Sequence, residues 1–151
     1  MTGKRFVLAL ALALTLAGGA AASTELDAVR AEANLEKRSK LALDNAASAL
    51  RSAREAYQAG DTATVTAKTD EIGESVDLAY NSLTETGKNP RKSPKWFKHA
   101  EMETRELTRR LEDFAQQMNY NDRAILDKIR ARIEQVHDEL LTGLMEGRKK
   151  K

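Results

Sequence analysis

The chain contains no cysteine. It can form no disulfide, thiolate metal site or covalent haem link, and it lacks the cysteine that lipid attachment after an export signal requires. Its fold must be held by core packing alone. Only two prolines occur, Pro90 and Pro94, so proline interrupts helix formation nowhere else. Aromatic residues make up 5% of the chain, too few for the interleaved stacking platform of a single-strand nucleic-acid binder. There is no Gly-x-Ser-x-Gly elbow to present a hydrolase nucleophile. No catalytic constellation is present, so a non-enzyme without a cofactor is expected.

The longest apolar stretch, Phe6 to Ala22, is 17 residues, short of the ~20 that a spanning helix needs. Lys4 and Arg5 precede it. Gly18, Gly19, Ala20, Ala21 and Ala22 end it, and Ala20-x-Ala22 has the spacing of a signal-peptidase site. Residues 1–22 are therefore expected to be a secretory signal cleaved before Ser23. The working protein would be periplasmic or secreted. The alternative is an uncleaved N-terminal membrane anchor.

Residues 23–147 are rich in Ala, Leu, Glu, Lys and Arg, a helix-forming composition. Apolar positions recur at steps of three and four. This spacing predicts helices near 24–59, 61–86, 94–118 and 121–146. Thr24 is the expected first cap, Asp61 the second, and Ser93-Pro94 the start of the third. Gly60 and Gly87 close the first two helices. The expected first seam is Leu26, Val29, Ala33, Glu36, Lys40, Leu43, Ala47, Leu50, Arg54 and Tyr57, polar in its middle. The second is Thr62, Val65, Thr69, Ile72, Val76, Ala79 and Leu83. Gly73 interrupts that helix, and a close helix–helix contact is its expected reason.

The third seam runs Trp96 or Phe97, Ala100, Thr104, Leu107, Leu111, Phe114 and Met118. The fourth runs Ile125, Ile129, Ile133, Val136, Leu140 and Leu144. Four long helices with short loops predict a single all-α domain, an antiparallel up-down-up-down four-helix bundle. The alternative is an elongated pair of helical hairpins. Leu35, Leu41, Leu78 and Leu126 lie off these seams and could form a second interface for a self-associating, coiled-coil-like scaffold.

Charge is unevenly spread. Residues 23–87 carry 7 basic and 12 acidic side chains, and residues 101–147 carry 7 and 11. Between them, residues 88–100 hold Lys88, Arg91, Lys92, Lys95 and Lys98 with no acid, around a linker at 87–93. The C-terminal tail is Arg148, Lys149, Lys150 and Lys151. In the predicted topology the linker and the tail share one end, with Trp96 nearby. That end is the expected contact for an anionic partner: an acidic protein, a lipid surface or an envelope polymer. Export argues against nucleic acid.

One motif has metal-ligand spacing. Glu134-x-x-His137 puts both side chains on one helical face, as in di-metal carboxylate bundles. The second copy is missing, because Trp96 stands three residues before His99. Glu134 and His137 also flank the expected seam instead of filling it. Glu134, His137 and His99 thus form an incomplete set, and a metal- or cofactor-binding bundle is the least favoured of the three functional readings. The favoured reading is an exported binding or structural module.

Overall fold

The computed structural model describes residues 21–147. The expected signal, apart from Ala21 and Ala22, and the tail 148–151 lie outside the described residues. Five α-helices occur among them: α1 Ala21–Arg30, α2 Leu35–Gln58, α3 Thr62–Glu85, α4 Lys95–Gln117 and α5 Ala124–Glu146. A 3-10 turn at Tyr120–Arg123 leads into α5. The four long helices pack against one another as an up-down-up-down bundle. None of the described helices is long and apolar enough to cross a membrane.

The expected helix over 24–59 is in fact two. Thr24 lies inside α1, and the chain turns at residues 31–34. Asn34 makes the new start. Its backbone is extended, and its Oδ1 accepts the Lys37 N–H at 2.9 Å. Arg38 Nε donates to the Glu32 carbonyl at 2.7 Å and closes the turn. The step-of-three-and-four pattern runs unbroken across this corner, which is why spacing alone joined the two helices. α1 lies against α2 and α3, with Leu26 buried and Arg30 paired to Glu74 at 2.9 Å.

The α2 seam also differs from expectation. Lys40 and Ala33 are exposed and Glu36 is half-buried. The buried stripe is Ser39, Ala42, Leu43, Asn45, Ala46, Ala49, Leu50, Ala53 and Ala56. Small side chains let α2 and α3 approach more closely than any other pair in the bundle. Several buried polar groups on this seam are satisfied locally, although Ser82 Oγ is buried without a partner. Asn45 Nδ2 donates to Ser75 Oγ at 2.9 Å and to Glu71 Oε1 at 3.1 Å, and Lys68 neutralises Glu71 at 2.9 Å. Thr69 and Thr104 each return a hydroxyl to a carbonyl one turn back.

The other three seams lie much as expected. Val65, Thr69, Ile72, Val76, Ala79 and Leu83 are buried on α3; Phe97, Ala100, Thr104, Leu107, Leu111 and Phe114 on α4; Ile129, Ile133, Val136 and Leu140 on α5. Leu126 is fully buried in the core. Leu78 packs against the core, and Leu35 and Leu41 are half-buried. Leu126 thus belongs to the core, and Leu35, Leu41 and Leu78 are partly covered by the fold.

Helix direction alternates along the chain, but the order around the bundle is α2, α3, α5, α4. α3 adjoins α2 and α5, and α4 adjoins α5 and α2, while α3 and α4 barely meet. Cross-helix pairs give the registers. Glu101–His137 and Glu112–Arg130 run antiparallel between α4 and α5. Asp77–Arg132, with Ile129 nearest Gly73, makes α3 and α5 parallel. The loop from α3 to α4 must therefore cross the end of the bundle diagonally.

The opposite end is clamped by polar contacts. Asp61 caps α3, and the Thr64 hydroxyl and N–H hold its carboxyl below the usual range. Tyr57 OH donates to Asp122 at 2.9 Å and accepts the Asn119 N–H at 2.8 Å, tying the α4–α5 turn to α2. We expect Tyr57→Phe to destabilise the fold by about 1–2 kcal/mol in urea unfolding, because both partners lose a bond. Gly73 does not serve a close contact. A methyl group there would meet nothing nearer than Ile129 Cδ1 at 3.9 Å. Gly73→Ala should accordingly raise stability by about 1 kcal/mol, read as a higher melting temperature.

Candidate functional site

The diagonal loop, residues 86–94, builds the basic end. Gly87 has a φ of +69°, which starts the crossing. Asn89 then organises the turn: its side chain accepts the Arg91 N–H at 2.9 Å, and its carbonyl accepts those of Lys92 and Ser93. On one side Lys88 Nζ pairs with Glu36 at the start of α2. On the other, Pro90 seats on α5 at Gly143, where a Cβ would come within 3.2 Å of Pro90 Cγ. Gly147 closes α5 with a φ of +75°, and a Cβ there would meet Arg91 Cδ at 3.1 Å. Two glycines thus let the loop rest on the last turns of α5.

This contact brings the loop to the end where the chain continues into Arg148–Lys151. Arg91, Lys92, Lys95 and Lys98 are all exposed there. Lys88 is held by Glu36, and Lys95 Nζ lies 4.8 Å over the half-buried Trp96 ring. Arg91, Lys92 and Lys98 have no ion-pair partner among the described residues. By contrast, most cations along the bundle are paired, for example Lys40–Asp44 at 2.6 Å and Arg109–Glu106 at 2.6 Å.

The start of α4 adds to this positive potential. Ser93 was the expected cap, but the helix begins one residue later, after Pro94, with no side-chain cap bond and no acid in its first turn. Lys95 and Lys98 stand where the helix dipole disfavours cations. The Trp96 ring under Lys95 offsets part of that cost, while Lys98 has no ion pair among the described residues.

Beneath the loop lies a cavity of about 140 Å³ lined by Tyr80, Thr84, Pro90, Phe97, Glu139 and Leu140, among others. Burial, then Glu139, raises the Tyr80 phenol above its ordinary pKa. The cavity is below the ~300 Å³ at which small-molecule sites begin. The larger concavities are open grooves, one at the α4–α5 turn and one along α5.

The metal candidates are not brought together. His137 meets Glu101 of α4 at 2.9 Å instead of Glu134, which is exposed. His99 packs edge-on against Trp96. Met102, three residues from His99, is exposed. No group of three metal-ligating side chains occurs among the described residues.

Sequence reasoning missed the seat for the loop, Pro90 on Gly143, and the exposed Leu141 and Met145 on the other side of the last turns of α5. The two apolar residues had a signal: they sit four apart, off the Ile133–Val136–Leu140 seam. No family model, curated protein or solved structure matches this chain.

Proposed function

We propose that this protein is an exported, non-enzymatic helical-bundle module that contacts an anionic partner through its basic end. The observation that carries the reading is the seating of the 86–94 loop on Gly143 and Gly147. It sets Arg91, Lys92, Lys95 and Lys98 beside the point where the chain enters Arg148–Lys151. A second support is the cationic, uncapped first turn of α4. The export signal read from residues 1–22 supports an envelope or extracellular setting. A rigid rod with charge at one end holds its partner end-on and needs no pocket.

Trp96 is the sole tryptophan and lies in this end, so its fluorescence reports the contact. Titration with dextran sulfate should give saturable binding that weakens as salt rises. Changing Lys92, Lys95 and Lys98 together to Gln should weaken binding about 100-fold at low salt, given ~1 kcal/mol per cation at an anionic surface. Equal binding by the triple variant would remove the basic end as the contact site.

A further inference from the structure

We infer that the anionic partner is a lipid bilayer surface, which Leu141 and Met145 enter while the surrounding cations meet its headgroups. This inference rests on the basic-end reading above and narrows it from any polyanion to lipid. Large apolar side chains are exposed at four places among the described residues: Met102, Tyr120, Leu141 and Met145. Tyr120 lies at the opposite end, and Met102 on the outer face of α4. Leu141 and Met145 lie four residues apart in the last two turns of α5, 40% and 70% exposed. Leu144, between them, is half-buried against the core and fixes the helix beneath.

Register sets the cations around this apolar pair. Glu101 meets His137 across the antiparallel α4–α5 seam. One turn nearer the end, Lys98 and Leu141 stand level, and beyond them Lys95 and Met145. His137 and Leu141 share the α4-facing flank of α5, being one turn apart. Arg91 reaches the same end through its contact at Gly147, and the chain then runs into Arg148–Lys151. Further from the end the same face turns acidic at Asp138 and Glu134. At the opposite end Tyr120 is also exposed near Arg123, which forms no ion pair among the described residues, but only the tip sets two exposed apolar side chains one turn apart on one helix with several such cations at the same end.

A soluble polyanion or an acidic polymer would be satisfied by the cations alone and gives no reason for two exposed apolar side chains among them. An anionic bilayer matches both: headgroup charge attracts the lysines, and the acyl boundary takes up Leu141 and Met145. The half-buried Trp96, with Lys95 over its ring, is also suited to the water–headgroup boundary.

The test uses the processed chain secreted by an exporting host. Binding is measured to phosphatidylglycerol–phosphatidylcholine vesicles, to pure phosphatidylcholine vesicles and to dextran sulfate. The chain should bind the anionic vesicles and not the neutral ones. Leu141→Ser/Met145→Ser should bind anionic vesicles about tenfold more weakly with dextran sulfate binding unchanged. Met145→Cys, the only thiol in that variant, should carry an environment-sensitive dye into an apolar environment on vesicle binding. Equal vesicle binding by the serine variant, or a dye that stays in water, would overturn lipid entry. Binding to dextran sulfate but not to vesicles would also overturn it. In each of those cases the basic-end reading survives. Failure to bind either anionic probe would overturn both.

Discussion

The structure depends on a single crossing. α3 and α4 occupy diagonal corners of the bundle, and residues 86–94 must join them over its end. The loop is held from both remaining corners, by Glu36 of α2 through Lys88 and by Gly143 of α5 through Pro90. Lys88 is neutralised by Glu36, but Arg91 and Lys92, lying across the end, have no ion-pair partner among the described residues. A loop along an edge between adjacent helices would have left them beside Glu and Asp. The diagonal route is what converts an uneven charge sequence into a localised charged tip.

The two ends of the bundle are therefore built differently. At the Tyr57 end, polar groups are consumed by the fold: Asp61 caps α3, and Tyr57 joins Asp122 and Asn119. At the loop end, Arg91, Lys92 and Lys98 face solvent without ionic partners among the described residues, and α4 starts without a cap. Charges that do not serve folding and sit against a helix dipole destabilise slightly. A partner that supplies negative charge relieves that cost.

Most of the fold was legible in the sequence. The seams of α3, α4 and α5 carry Val, Ile, Leu and Phe, whose contrast with Lys and Glu sets the phase of each helix. α2 was misread because its buried stripe is alanine, and alanines such as Ala33 lie outside the core as well. A residue used on every face carries no phase. The α1–α2 corner was hidden because the pattern continues through it, and only Asn34 marks the break. For the site, the meeting of the 86–94 loop with the C-terminal end of α5 followed from helix direction alone. The pairing of His137 with Glu101 did not, because interhelical register depends on packing that no local pattern encodes. Leu141 and Met145 are informative only once Ile133, Val136 and Leu140 are known to face inward.

The central claim is that the 86–94 loop is seated on the end of α5. Cysteine substitution tests it directly, because the chain has no other thiol. A Cβ at position 143 would lie 3.7 Å from that of residue 90, within the spacing a disulfide requires. Pro90→Cys/Gly143→Cys should oxidise to an intramolecular disulfide in air, with loss of both titratable thiols and a monomeric mass. Two thiols that stay free, or that join only separate molecules, would contradict the seating and with it the single basic tip.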